Sequence, residues 1–369
     1  MKNSIELRKL KLILLFPIAV LLVNISSLSP YLVENIYSRC IYKLISQGIS
    51  LLVGWIPVSV GEFVIIAFIP FGIVVTIMAI VKTIRNSSGR GRRMLNYILN
   101  VLVLISVLYF AFVVTWDINY QRLPFSQIAG LDVRPATVGE LTAVCESLIE
   151  HTNEFRSRVK EDSNGVMELS MSLPDTLKSA PEGYAEESRI YPELGGRYSS
   201  PKGVLFSRVM SMLGIQGIHN PLTQEANVNT EISACMIPST ACHEMAHQRG
   251  FAREDEANYI SYLVCGKNPG DDFKYSGELL ALIYSMNALY DSDRTEFNQL
   301  YGKYSPGVVR DLSADREYWQ SFKGPVEKIN SAVNDAYLKA NKQVDGVKSY
   351  GRMVDLLIAQ YRKEGPQGM

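Results

Sequence analysis

The chain has no excess of charge of either sign. Its 369 residues carry 37 Lys+Arg and 37 Asp+Glu, a formal net charge of +0. That balance offers no basic field to phosphates, so no nucleic-acid partner is expected. Cysteine is scarce, and the five present (Cys40, Cys145, Cys235, Cys242, Cys265) form no C-x-x-C pair. A disulfide-stapled scaffold is thereby excluded, and most of them read as small buried residues. Internal repeats and low-complexity tracts are missing. A hydrophobic content of 47% rules out a disordered chain. Histidine is scarcer still, four in all: His151, His219, His243 and His247.

What the chain does have is an uneven distribution of apolar residues. Most of the excess lies before Asp117, and most of the acids lie after it. Three runs, about 10–28, 63–81 and 95–116, are long enough to cross the ~30 Å hydrocarbon layer as helices. The first has a basic start, as a signal peptide would, but no clear A-x-A site follows it, so it reads as an uncleaved anchor. Basic residues flank the first run at Lys2, Arg8, Lys9 and Lys11, and fill the 82–94 loop. The positive-inside rule therefore places the N-terminus and that loop in the cytoplasm, and everything after Trp116 outside. Segment 41–55 has Ile41, Leu44, Ile45, Ile49 and Leu52 at helical spacing. It is short for a span and reads as an interfacial amphipathic or re-entrant helix. The expected organisation is a membrane anchor over 1–117 and a soluble domain over 118–369.

The soluble part reads as mainly α. Helices are expected over 137–159, 204–213, 239–249, 252–266, 275–290, 292–302, 306–314, 315–340 and 350–363. Residues 161–200 read as irregular with one strand near 166–173, and 214–229 as loop or edge strand.

The stretch that carries chemistry is PSTACHEMAHQRGFAREDEANYISYLVC, 238–265. It contains His243-Glu244-Met245-Ala246-His247, an H-E-x-x-H pattern. On a helix, residues four apart share a face, so His243 and His247 can direct their imidazoles at one metal ion. Glu244 lies one position round the helix, placed to act on a water rather than to ligate. Zinc lowers the pKa of a bound water towards ~7, and a neighbouring carboxylate accepts its proton. A catalytic site of this kind needs a third protein ligand. Gly250 can end the first helix, and a second opens with Glu254-Asp255-Glu256-Ala257-Asn258. Arg253 stands where a third histidine would fall in the longer H-E-x-x-H-x-x-G-x-x-H pattern. Glu254 is the preferred third ligand, Glu256 the alternative, and Asn258, four residues on, a residue that would orient a ligand. E-x-x-A-N is similar to the E-x-x-A-D of gluzincin-type metallopeptidases.

The segments HEMAHQRGFAREDEANYISYL, WDINYQRLP, GIHNPLTQEANVN and NDAYLKANKQVDGVKSYGRMVDLL resemble a bacterial membrane-protein family catalogued as a domain of unknown function, number 3810. The resemblance implies a zincin-like, zinc-dependent peptidase of no known substrate, in the bacterial cytoplasmic membrane.

Other candidates follow from position. His219 can stabilise an oxyanion or be a solvated loop residue. Glu225, Asn227 and Asn229 can line a groove or pair with loop backbone. Tyr337, Asp345, Ser349, Tyr350 and Arg352 form a polar-aromatic group from which Tyr350 is selected as a transition-state stabiliser. The expected function is a membrane-anchored zinc peptidase holding one Zn²⁺ and acting on proteins or peptides at the outer face of the lipid bilayer. Its rivals are a zinc-binding sensor or scaffold without catalysis, and a zinc hydrolase of a non-peptide amide in the cell wall. Cleavage within the membrane is disfavoured, since the motif lies more than a hundred residues beyond the last span.

Overall fold

The computed structural model describes residues 2–85, 88–340 and 352–366. The chain is mainly helical, with three helices long and apolar enough to cross a membrane. They are Leu7–Ser26, Val60–Arg85 and Arg90–Thr115. The first and third pack together, with Lys9 Nζ 3.4 Å from Asn96 Oδ1 near one end of the pair. Val60 and Thr115 are bonded to Glu225 and Gln224 of the later chain, and the helix ending at Ser26 packs on Asp117–Gln121.

The segment between the first two spans is one long helical stretch rather than a short one. It comprises Pro30–Leu32, a wide-turn π segment Val33–Tyr42, and Lys43–Gly54. Besides Val33, its buried side chains recur every four residues: Glu34, Ser38, Tyr42, Ser46 and Ser50. Four-residue spacing puts them on one helix face, which lies against the later part of the chain. Ser46 and Ser50 meet Tyr198 and Ser199, and Gln47 accepts from the Arg197 N–H. The opposite face carries exposed Ile36, Ile41, Leu44, Leu52 and Trp55.

After Trp116 the core is built on buried helices. Ile237–Gln248, Glu254–Lys267 and Asp271–Ser292 pack on one another and on Val138–Arg156 and Leu173–Glu187. Val138–Arg156 begins at a reciprocal cap, in which Thr137 accepts from the Glu140 N–H and Glu140 from the Thr137 N–H. Leu173–Glu187 lies where the sequence reads as irregular. Its start is set by the Ser172 cap and Pro174 in the first turn, signals hidden among Ser, Pro and Glu. The strand expected near 166–173 shrinks to Met167–Glu168, paired with Lys160–Glu161. The boundary expected at 314/315 falls instead at 321–324, where Gly324 and Pro325 separate Pro306–Gln320 from Pro325–Ala340.

Residues 214–229 form two strands of a small sheet. Glu225–Val228 is central, parallel to Lys202–Gly203 and antiparallel to Gly217–Asn220, with Gly217 opposite Val228 and Asn220 opposite Glu225. Gln224, in the turn between the two longer strands, has φ 53°. Such a backbone is strained for a side-chain-bearing residue and persists only when held. Its amide donates to Thr115 O at 3.1 Å, accepts from the Tyr42 hydroxyl at 3.0 Å, and so joins the third span to the juxtamembrane helix.

Glu225 is fully buried. Its carboxylate accepts from the Val60 and Gly61 N–H groups at 2.9 and 2.7 Å and pairs with Lys202 at 2.7 Å. It caps the open start of the second span from a distant point in the chain. Glu225→Ala should cost about 3–5 kcal/mol by leaving Lys202 buried without its counter-charge. Adding Lys202→Met should recover part of the loss, as denaturant titration in detergent can measure.

Glu278, buried in Asp271–Ser292, has His151 Nδ1 at 3.9 Å from its Oε1, too far for a hydrogen bond. Burial pushes its carboxyl up to about 8. The folded chain then keeps a proton that the unfolded chain loses above ~4.3, so this group's contribution to stability falls as pH rises towards 8. Glu278→Gln should melt several degrees above the parent chain at pH 8.5, with the gap closing towards pH 5 in thermal scans.

Candidate metal centre

Helix Ile237–Gln248 has Pro238 in its first turn, a position whose missing N–H costs nothing, and is buried along nearly its whole length. His243 and His247 stand one turn apart, their rings 4.7 Å between centroids and nearly perpendicular at 89°. The helix ends at Gly250, whose φ of +80° is left-handed, and the chain reverses. The reversal brings Phe251 O to 2.7 Å from His247 Nδ1. A carbonyl can only accept, so Nδ1 carries the proton and Nε2 presents its lone pair to the opposite side.

Glu254 opens the next helix, Glu254–Lys267. Its Oε2 lies 3.2 Å from His243 Nε2 and 3.7 Å from His247 Nε2. The three potential ligand atoms all fall within 4.8 Å of one another. Two ligands on a tetrahedral zinc at ~2.0–2.1 Å stand roughly 3.3 Å apart, so the two carboxylate–imidazole separations suit a common ion. The potential at this point is negative. Burial alone would lower the His247 pKa, but Glu254 overrides it and pushes it up to about 9. Burial likewise opposes ionisation of Glu254, and the two histidines outweigh it and hold its carboxyl well below the usual range. A cation of either kind, proton or metal, is what this trio favours.

Glu244 is 4% exposed and takes no part in that trio. Its Oε2 has no hydrogen-bond partner among the described residues. Burial raises its pKa, against the pull of His243 and His247. The edge strand runs directly over it. A Cβ at Gly217 would lie 2.5 Å from Glu244 Oε1 and 2.8 Å from Thr240 Cγ2, so only glycine fits there.

The other sequence candidates divide. His219 is buried on the edge strand, its ring 6.4 Å from that of His247, with neither nitrogen partnered. Burial drives its pKa well down, which keeps it neutral. Asn258 shares Glu254's helix face, but the hydrogen bond it makes is to the Tyr284 hydroxyl at 3.4 Å, not to a ligand. Glu256 is turned away, because two residues along a helix is a rotation of roughly 200°. It accepts from the Phe125 N–H at 2.9 Å and from Arg253 at 2.7 Å. Glu225, Asn227 and Asn229 serve the sheet and the second span rather than a groove; Asn227 donates to Ile218 O, and Asn229 to Ile215 O. Tyr350, with Asp345 and Ser349, lies outside the described residues.

On the aromatic side of the site Trp116 and Tyr120 escape the sequence reading, whereas Tyr337 belongs to its polar-aromatic group of candidates. Trp116, the residue after the third span, sets its ring 5.4 Å from His247 and 5.0 Å from His219. Its indole N–H donates to the Tyr337 hydroxyl at 3.0 Å, and the Tyr120 hydroxyl meets the same atom at 3.3 Å. Trp116 and Tyr120 occur in WDINYQRLP, where the signal available was an aromatic-rich segment directly following an apolar helix.

Residues 37–358 match the family described as "Protein of unknown function (DUF3810)". No curated protein and no solved structure matches the chain. The family match covers the motif and the second and third apolar helices, begins after the first, and carries no chemistry of its own.

Metal analysis of the purified full chain should give about one zinc per chain. His243→Ala, His247→Ala and Glu254→Ala should each lower retention by at least tenfold on dialysis against a chelator. Glu256→Gln should hold zinc as the parent does; loss there would move the third ligand to the alternative position.

Proposed function

The chain belongs to the DUF3810 family of proteins of unknown function, and we propose from its own side chains that it is a membrane-anchored zinc-dependent peptidase. His243, His247 and Glu254 would hold one Zn²⁺ and Glu244 would be the general base. The observation that carries the reading is the pairing of two features. A compact two-imidazole, one-carboxylate cluster lies beside a separate buried carboxylate whose Oε2 is free to take a proton. A sensor or scaffold needs only the first of these.

When bound, zinc supplies a Lewis acid that acidifies water and polarises a carbonyl. Glu244 takes one proton from the attacking water, and the hydroxyl adds to the carbonyl carbon of the scissile amide. Glu244 then delivers that proton to the amide nitrogen as the C–N bond breaks, leaving an acid, an amine and the carboxylate restored. His219, neutral and unpartnered beside the ligands, is placed to steady the developing oxyanion.

Peptide rather than another amide is supported by the edge strand. Gly217–Asn220 has a neighbour on one side only among the described residues, and it passes over Glu244. An extended chain can add to such an edge through its backbone. By the positive-inside argument, the site faces the outside of the cytoplasmic membrane.

Glu244→Gln should keep its zinc and lose proteolysis of a mixed peptide library by at least a thousandfold. Gly217→Ala should also keep zinc but lose about a hundredfold, since its methyl displaces the base. Equal turnover by the parent and Glu244→Gln chains would remove the base, and full zinc retention with no turnover by the parent chain would favour a sensor.

A further inference from the structure

The motif lies far from the spans in sequence but next to them in space. Thr115 is the last residue of the third span, and Trp116, the next, touches His247 and His219. The second span starts at Val60, whose N–H is held by Glu225, a neighbour of the edge strand. Each of these two helices has 26 residues, about 39 Å of helix against a ~30 Å hydrocarbon layer. Their terminal turns therefore stand in the headgroup zone, and the metal centre stands there with them.

The edge strand has a direction relative to this surface. At one end Gly217 lies on Glu244. At the other, Asn220 lies against the start of the second span, where a Cβ at Gly61 would fall 2.3 Å from Asn220 Nδ2. The turn that follows is tied by Gln224 to the last carbonyl of the third span. The strand thus leads from the base to the gap between the ends of two spans. Four residues of strand cover about 10 Å. Around that gap the surface is apolar. Ile218 and Leu222 are 46% and 44% exposed, Leu205 and Phe206 62% and 52%. The backbone N–H groups of Leu205 and Phe206 are held by Glu62, in the first turn of the second span, which fixes both side chains at lipid level.

We propose that the substrate is the juxtamembrane segment of a membrane-anchored polypeptide, which leaves the bilayer beside the second and third spans and pairs with the free edge of Gly217–Asn220. This deepens the peptidase reading and rests on it for the hydrolysis. The bond offered to Glu244 then lies within roughly ten residues of the lipid. A soluble peptide gains nothing from the apolar rim and loses the high local concentration that a shared bilayer provides.

The test uses the full chain in phosphatidylethanolamine–phosphatidylglycerol liposomes. One randomised 20-residue library is presented in three forms: fused directly to a single Leu/Ala-rich span, fused to it through a 40-residue Gly/Ser linker, and free in solution. The direct fusion should be cut at least tenfold faster than the other two, with cuts within about ten residues of the span. A Glu244→Gln chain with a benzophenone amino acid in place of Ile218 should crosslink to the same residues of the direct fusion. Crosslinks there without cleavage by the parent chain would sink the peptidase reading and keep the docking. Cleavage at equal rates in all three forms, with crosslinks spread along the library, would sink the docking and keep the peptidase. Neither cleavage nor crosslinks would overturn both.

Discussion

The centre depends on one reversal of the chain, Arg249 to Glu254. His243 and His247 come from one helix and Glu254 from the next, and only this turn sets the carboxylate against both imidazoles. Gly250 is indispensable for two reasons. Its φ of +80° disfavours any side chain, and a Cβ there would sit 2.9 Å from both Asn119 Oδ1 and Tyr42 Cε1. Phe251 supplies the carbonyl that orients His247, and its own ring is buried under the Arg122 guanidinium at 3.8 Å. Arg122 in turn donates to Arg249 O and pairs with both Glu34 oxygens at 2.8 Å. The turn is held, link by link, by residues on either side of the membrane-spanning helices.

That dependence runs across the division between anchor and domain which the composition suggests. Tyr42, from the loop between the first two spans, places its hydroxyl 3.3 Å from the carbonyls of His247 and Gln248, the open end of the motif helix. Gln248 donates to Gln224 O, and Gln224 to Thr115 O. Glu225 closes the second span from the sheet. Each element that carries a ligand or the base is thus a short covalent distance from a hydrogen bond to a segment adjoining the membrane.

The legible parts of the sequence were those written in local pattern. The three spans follow from length and hydropathy, and the two ligand helices from 3.6-residue spacing with Pro238 and Gly250 as punctuation. The preference for Glu254 over Glu256 comes from the face Glu254 shares with Asn258 and from the E-x-x-A-N pattern, and its carboxylate lies 3.2 and 3.7 Å from the two imidazoles. What could not be read depends on contacts distant in the chain. The short strands at 202–203, 217–220 and 225–228 have too few residues to show alternation, and their pairing is decided by register between segments. Trp116 and Tyr120 gain their place only when the motif folds back, more than a hundred residues later. Loop closure over such lengths is entropically cheap enough that sequence separation says little about which residues meet.

The juxtamembrane helix shows why the joint between these parts is polar. Inside water, an apolar stripe decides which face of a helix is buried. Against lipid that signal fails, because acyl chains solvate leucine as well as a protein core does. A helix resting between a bilayer surface and a protein needs the opposite code. Glu34, Ser38, Tyr42, Ser46 and Ser50 face the protein, and Ile36, Ile41, Leu44, Leu52 and Trp55 face out. The buried Glu34–Arg122 pair adds little net stability against an apolar replacement. It discriminates between orientations, since rolling the helix over would withdraw Glu34 from the protein and strip Arg122 of its partner. The same logic applies to Glu225 and Lys202 at the second span. These buried charges fix the angle at which the spans meet the sheet, and with it the position of Gly217 over Glu244.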